Sequence, residues 1–163
     1  MAADFKTLGK NEQGALIAGG LALILSFISA YISVSADKKV VGVDVSYGIS
    51  AWHGYATFGI LLVIAATAIV AIKAFAADSL PDGVPWALAA FGAAALGTLL
   101  LVLRALTIGG DGPGYSVGPG WSAFLLWIAC LALTYFTFTM FKESGDKMPE
   151  FNKKDTPPPP PAA

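Results

Sequence analysis

The sequence predicts an all-α membrane protein, in which four transmembrane helices form two antiparallel hairpins and a disordered, proline-rich C-terminal tail follows. Its 163 residues are 56% hydrophobic and only 13% charged, whereas soluble domains average roughly 45–50% apolar and about 25% charged residues. The chain also contains four stretches of more than 20 residues with almost no charge, separated by short polar segments. Since a helix that crosses a bilayer needs about 20 apolar residues, each stretch is long enough to span a membrane.

The predicted organisation has three parts. Residues 1–13 form a polar N-terminal segment, residues 14–141 the transmembrane domain, and residues 142–163 the tail. Pro85 and Pro119 mark the starts of two helices, because the first turn of a helix tolerates a missing N–H. The four helices are predicted over residues 14–35, 52–77, 85–108 and 119–141.

The distribution of basic residues predicts the orientation of these helices. With four spans, both termini and the tight turn at 78–83 lie on one side of the membrane. Seven basic residues belong to that side and three to the other. The first group is Lys6, Lys10, Lys73, Lys142, Lys147, Lys153 and Lys154, and the second is Lys38, Lys39 and Arg104. Since basic residues favour the cytoplasmic side, we expect both termini in the cytoplasm.

The first helix has a competing interpretation as a signal peptide. Val34-Ser35-Ala36 has the small residues of a cleavage site, and lysines precede the apolar run. The run is longer than the roughly 7–15 apolar residues of a signal peptide. We therefore expect the helix to be retained as a transmembrane span.

The tail differs from the rest of the chain in composition. Lysines and acidic residues alternate as far as Asp155, and five prolines follow at Pro157–Pro161. Such a segment cannot bury enough apolar surface to order itself, so it is either a solvated chain end or a polyproline ligand for an aromatic groove. In both cases Phe141 is the last anchored residue, and removing everything after Gly145 should leave the bundle unchanged.

Two segments suggest an internal repeat of the helical hairpin. Ser46-Tyr-Gly-Ile-Ser-Ala-Trp52 precedes the second helix and Ser116-Val-Gly-Pro-Gly-Trp121 precedes the fourth, with their glycines at Gly48 and Gly118. Duplication and chance similarity of small residues both explain the match.

The chain resembles a group of small four-helix integral membrane proteins of actinobacteria, most of them uncharacterised. Residues 8–20, Leu-Gly-Lys-Asn-Glu-Gln-Gly-Ala-Leu-Ile-Ala-Gly-Gly, carry one part of the resemblance. Leu101-Val-Leu-Arg104, followed by a Gly/Pro loop and Val117-Gly-Pro-Gly-Trp121, carries the other. The Pro-Trp pair that usually ends the first helix is replaced by Ser29-Ala-Tyr31. The resemblance spans residues 8–140 and implies a bacterial plasma membrane, but no reaction.

Several functional classes are excluded by composition. A net charge of −1 provides no basic field for nucleic acid. The single cysteine, Cys130, cannot form an internal disulfide or a zinc cluster, and the single histidine, His53, cannot supply two axial haem ligands. We predict no catalytic residues, no cofactor and no metal site.

Two polar residues are the candidates for function. Arg104 lies four residues from the end of the third helix; it either extends to the membrane interface, pairs with Asp44 or Asp111, or binds an anionic lipid or substrate. His53 is either a polar group at the headgroups or a pH-sensitive or metal-associated group with the same two acids. No Asp or Glu lies in the predicted spans, which argues against a proton-driven pump.

Small residues recur at helical spacing and predict close helix packing. They serve either contacts within one monomer or contacts with another membrane protein. On the first helix they are Gly14, Ala18, Ala22, Ser26 and Ala30, and on the third Ala89, Ala93 and Gly97.

The sequence favours a non-enzymatic accessory or scaffold subunit of a larger membrane assembly, respiratory or in the cell envelope. Its partners would be the lipid bilayer and membrane proteins or further copies of itself. The alternatives are a small transporter, channel or lipid-binding protein that uses Arg104, and a membrane enzyme that uses His53 with Asp44 or Asp111.

Overall fold

The described part of the chain is mostly helical, with a small β-sheet at one end of the helices. The computed structural model describes residues 4–36, 42–43, 45–147 and 161. Within these residues there are four α-helices, four β-strands and two single-turn 3-10 helices at Phe5–Thr7 and Ala77–Ser79. The helices are α1 (Lys10–Ser26), α2 (Ala56–Phe75), α3 (Trp86–Thr107) and α4 (Trp121–Ser144). The strands are β1 (Ile32–Ala36), β2 (Val45–Ile49), β3 (Gly110–Gly112) and β4 (Tyr115–Pro119).

The all-α prediction is wrong because these strands form one antiparallel sheet in the order β2-β1-β4-β3. The predicted helix over 14–35 ends at Ser26, and its last residues form β1. The reason is visible in Ile32-Ser-Val-Ser-Ala36, where apolar and small polar residues alternate with the period of a strand. The glycine-rich segment after α3 pairs with itself as the β3–β4 hairpin.

The sheet places the two repeat-like segments in equivalent positions. β1 lies between β2 and β4, and Gly48 and Gly118 both pair with Ser33, from opposite sides. Ser46 and Ser116 pair with Ser35 in the same way. Each half of the chain is therefore a helix, a β-hairpin and a helix. The two hairpins lie side by side, and the first strand of each runs in the same direction.

The helix bounds differ from the prediction mainly at α1. This helix begins at Lys10, because the Gly9 N–H donates to the Glu12 carboxylate at 3.1 Å and caps the polar first turn. With 17 residues it is about 26 Å long, somewhat less than a ~30 Å hydrocarbon core. Among the described helices, α2, α3 and α4 are long and apolar enough to cross a membrane. Long apolar helices are thus confirmed for three of the four predicted spans.

The four helices pack as a ring, in which α1 and α3 each contact α2 and α4. Large aliphatic side chains fill the interior and are almost completely buried. They include Ile60, Val63, Leu101, Leu126 and Leu133.

Helices α2 and α3 cross closely at a pair of glycines. A Cβ on Gly97 would lie 2.7 Å from the Gly59 carbonyl oxygen, and a Cβ on Gly59 would lie 3.0 Å from the Gly97 carbonyl oxygen. Glycines also lie where α1 crosses its two neighbours. Gly14 faces the Phe136 ring on α4, and Gly19 faces the Thr67 side chain on α2. Because these glycines have no side chains, the helix backbones can approach closely at each crossing.

The end of the bundle opposite the sheet is fixed by polar contacts from the end of α4. The helix stops at Gly145, which adopts the left-handed conformation with φ 71°. Asp146 then accepts a hydrogen bond from the Ala87 N–H at 3.3 Å and caps the first turn of α3. Asn11 Nδ2 donates to Glu143 Oε1 at 2.8 Å and joins α1 to α4. The anchored chain thus extends beyond Phe141, to Asp146, and the predicted disordered tail lies, apart from its first residues and Pro161, outside the described residues.

We predict that Gly97→Val lowers the stability of the bundle by about 2 kcal/mol, because the added side chain overpacks the α2–α3 crossing. Gly92→Val is the matched control on the same helix, since a Cβ there meets nothing within 4 Å. Thermal unfolding of both variants in a mild detergent measures the difference. Equal melting temperatures for the two variants would contradict the close crossing.

The Asp146 cap predicts a sharp boundary for truncation. A chain that ends at Lys147 should melt like the full chain, whereas one that ends at Gly145 should lose about 1 kcal/mol, the usual value of a helix cap. Asp146→Ala should reproduce this loss, and Asp146→Asn, which keeps an acceptor oxygen, should recover most of it. If the two truncated chains melt together, the contact with Ala87 adds no stability.

Candidate functional site

Tyr31 connects the sheet to three helices at the sheet end of the bundle. Its side chain is completely buried, and its hydroxyl donates a hydrogen bond to the Leu101 carbonyl of α3. Its backbone N–H donates to Ile49 O of β2 at 3.0 Å, and its carbonyl accepts from the Gly120 N–H at 2.9 Å. The segment that leaves α1 is therefore bonded to β2, to α3 and to the start of α4.

Two glycines allow this segment to lie so close to its neighbours. A Cβ on Gly48 would overlap the Ser29 carbonyl, and a Cβ on Gly120 would overlap the Ala30 carbonyl. Ala30, predicted in the small-residue stripe of the first helix, follows the end of α1 instead. Its backbone, rather than its small side chain, makes the close contact.

Trp52 connects the start of the α2 region to the end of α1. Its Nε1–H donates to Ser26 Oγ at 3.1 Å, and Ser26 Oγ donates to the Leu23 carbonyl at 2.7 Å. The Phe27 ring stacks on the Trp52 ring with 5.3 Å between centroids. Ser26 is thus a buried hydrogen-bonding residue as well as a small one.

The other predicted packing residues differ between the two helices. Ala18 and Ala22 are buried on α1. On α3, Gly97 is buried, Ala93 is half-buried and Ala89 is exposed. Residues at a strict spacing of four rotate by about 40° per step around a helix, so Ala89 has turned away from the interface two steps before Gly97. In this part of α3 the buried small residues are Ala87, Ala90 and Ala94.

Hydroxyl groups meet between α3 and α4 in the middle of the bundle. Thr98 Oγ1 lies 3.1 Å from Thr134 Oγ1 and donates to the Ala94 carbonyl at 2.7 Å, while Thr134 Oγ1 donates to the Cys130 carbonyl at 2.9 Å. Thr98 was not among the sequence candidates. The sequence signal that could have pointed to Thr98 was its position directly after Gly97, a residue predicted to lie at a helix contact.

Arg104 lies in a group of residues that the sequence did not predict. This group, the Arg104 cluster, consists of Arg104, Gly54, Tyr55 and Thr107. Its Cζ lies 5.2 Å from the centre of the Tyr55 ring. The Tyr55 hydroxyl is hydrogen-bonded to Thr107 Oγ1 on the last turn of α3. Arg104 Nε is buried and has no hydrogen-bond partner among the described residues. The cluster joins the start of α2 to the end of α3 and holds a cation there.

Of the two acids considered as partners for Arg104 and His53, the described residues include only Asp111, and it forms no ion pair with either residue there. His53 is exposed, and its Nδ1 lies 3.4 Å from the Ser50 carbonyl oxygen. Asp111 is exposed on β3, where it pairs in register with Ser116. Asp44 lies outside the described residues, so a pair with it is untested. Within the described residues, no group of three His, Cys, Asp or Glu side chains is placed to hold a metal.

Two larger cavities lie on the outside of the bundle. A groove of about 610 Å³ between α1 and α4 has an apolar lining that includes Ile17, Leu21 and Phe136. A polar cavity of about 600 Å³ at the end opposite the sheet is lined by Lys10, Glu12, Lys73 and Glu143, among others.

We predict that Tyr31→Phe destabilises the protein by about 1 kcal/mol, because it removes one buried hydrogen bond and leaves the ring packed. Tyr47→Phe is the control, since Tyr47 lies on the neighbouring strand β2 but is 67% exposed. Thermal unfolding in detergent measures both. A Tyr31→Phe variant that melts like the wild type would show that the Tyr31 hydroxyl bond adds no stability.

No protein-family model matches this chain, and no curated protein is found as a relative. The resemblance to actinobacterial membrane proteins therefore stays a prediction. The geometry of the sheet end and of the Arg104 cluster is the basis for assigning a function.

Proposed function

We propose that this protein is a non-enzymatic accessory or scaffold subunit of a bacterial membrane assembly, and that it binds its partner through the β-sheet. In this proposal all four helices cross the plasma membrane, with both termini in the cytoplasm and the sheet on the outer side. The basic residues near the end opposite the sheet, such as Lys10, Lys73 and Lys142, support this orientation. Because α1 is short, the segment after Ser26 completes its crossing.

The observation that carries the proposal is the set of large apolar side chains exposed on the sheet. Lipid covers the exposed apolar side chains of the helices, such as Phe58 and Ile128, if the helices span a membrane. In the proposed topology the strands lie beyond the hydrocarbon core, where lipid tails do not cover them. Exposed apolar patches in such a place are typical of protein interaction sites. On the strands the exposed side chains are Val45, Tyr47 and Tyr115, and beside the sheet they are Val43, which precedes β2, and Trp121, the first residue of α4.

The packing of the interior gives less support to a transporter. Ile60, Val63, Leu101 and Leu133 converge in the centre of the ring and are almost completely buried. The two larger cavities lie outside this packed centre. A solute path along the bundle axis would require these side chains to move apart.

The proposal predicts that Tyr47→Ala combined with Tyr115→Ala abolishes co-purification of the partner from native membranes in a mild detergent. The protein itself should remain folded, because both side chains are more than half exposed. Phe58→Ala is the matched control, since it removes an exposed aromatic side chain from α2 rather than from the sheet.

Two results would overturn the proposal. The first is wild-type protein that purifies alone and as a monomer from native membranes. The second is a partner that is retained by the double variant and lost with Phe58→Ala, which would assign the interface to the helices.

A further inference from the structure

The Arg104 cluster has the properties of an anion site. We infer that Arg104 binds a phosphate group at the sheet end of the bundle, as part of a lipid headgroup or as a free phosphate. This inference goes beyond the proposed scaffold role, because it concerns a ligand rather than a protein partner. Three observations support it: the hydrogen-bonding state of Arg104, the way its guanidinium is held, and its position along α3.

The first observation is that Arg104 has unused hydrogen-bonding capacity. An arginine has five N–H donors and remains charged in proteins. Its Nε is buried without a partner in the described part of the chain, and a buried donor without an acceptor is unfavourable. The nearby Tyr55 and Thr107 hydroxyls are bonded to each other. The Nη groups are not enclosed and donate to no described residue, so an external acceptor can bind them.

The helices around Arg104 supply no negative charge. Residues 56–75 of α2 and 86–107 of α3 contain no Asp or Glu. Asp111 is exposed on the β3 strand of the sheet and faces Ser116 in the β4 register. No carboxylate among the described residues forms an ion pair with Arg104, so its countercharge is either an anionic ligand or Asp44, which lies outside them, and the experiment separates these two sources.

The second observation is that the guanidinium is held in place. The Tyr55 ring covers it at 5.2 Å, which is a cation–π distance. Gly54 lies beside it, and a Cβ at that position would come within 3.1 Å of Arg104 Cζ and Nη2. Gly54 also has φ 64°, which favours glycine. A guanidinium held in this way is prepared to bind two oxygens of one phosphate.

The third observation is the position of Arg104 along α3. The helix ends at Thr107, so Arg104 lies three residues, or about 4.5 Å, before its end. If α3 spans the membrane as proposed above, this depth is next to the headgroup layer that borders the ~30 Å hydrocarbon core. The depth argument rests on the proposed topology, whereas the first two observations do not.

The experiment measures lipid and phosphate binding to the purified full chain by native mass spectrometry and ligand-dependent melting. The probes are phosphatidylglycerol, a galactosyl diacylglycerol that lacks phosphate, and inorganic phosphate. We expect the protein to prefer phosphatidylglycerol over the galactolipid. Arg104→Gln should weaken phosphatidylglycerol binding about tenfold, as loss of a charged hydrogen-bonding group predicts.

Two further variants separate charge from geometry. Arg104→Lys keeps the charge but loses the bidentate fork, so it should bind phosphatidylglycerol less tightly than wild type and more tightly than Arg104→Gln. Arg104→Lys also tests the inference if Arg104→Gln does not fold. Lys73→Gln removes a basic residue at the opposite end of the bundle and should bind like wild type.

The competition arm identifies the source of the phosphate. Displacement of phosphatidylglycerol by millimolar inorganic phosphate would assign the site to free phosphate groups, and binding that resists such displacement would assign it to a lipid headgroup. Because purified protein is used, these results do not depend on the proposed protein partner.

Two outcomes would overturn the inference. One is equal binding of phosphatidylglycerol by wild type and by both Arg104 variants, or equal binding of the galactolipid by wild type. The other is an Asp44→Asn variant that binds phosphatidylglycerol at least tenfold more tightly than wild type, which would show that Asp44 occupies Arg104 in the native protein.

Discussion

The connection after α1 depends on one buried residue, Tyr31, and the sheet end of the bundle is arranged around it. Its hydroxyl bonds to the Leu101 carbonyl inside α3, while its backbone bonds to β2 and to the start of α4. These bonds allow the chain to leave the helical conformation after Ser26 without losing backbone hydrogen bonds, because the strands supply new partners. The short α1 and the presence of a sheet are thus two consequences of the same connection.

The sheet in turn fixes the helix ends that carry the Arg104 cluster. β2 leads into α2 through residues 50–55, and β3, which follows α3, pairs with β4 of the same sheet. The start of α2 and the end of α3 are therefore held together, and the Tyr55–Thr107 hydrogen bond closes this junction. A guanidinium at such a junction is stabilised by contacts from two helices, which explains why Arg104 is half-buried instead of extending freely from α3.

The two ends of the bundle are stabilised by different physical means. At the sheet end, backbone pairing and the buried Tyr31 and Trp52 bonds join the helices. At the other end, side chains perform this role, since Asp146 caps α3 and Glu143 bonds to Asn11. Between them, glycines at the α2–α3 crossing allow close van der Waals packing. The middle thus combines close packing with the hydroxyl contact between Thr98 and Thr134, whereas both ends depend on hydrogen bonds.

The sequence by itself determined the positions of three long apolar helices and the turn at 78–83, because hydrophobic composition and proline and glycine positions are local properties. It also identified Arg104, since a charge inside an apolar run is conspicuous. The alternation in residues 32–36 is compatible with a strand, but only the tertiary structure supplies its partners, which lie 9–17 residues away on β2 and 79–87 residues away on β4. It also placed Tyr55 and Gly54 against Arg104 and Asp146 against α3. Such contacts join distant parts of the chain, and local sequence patterns do not encode them.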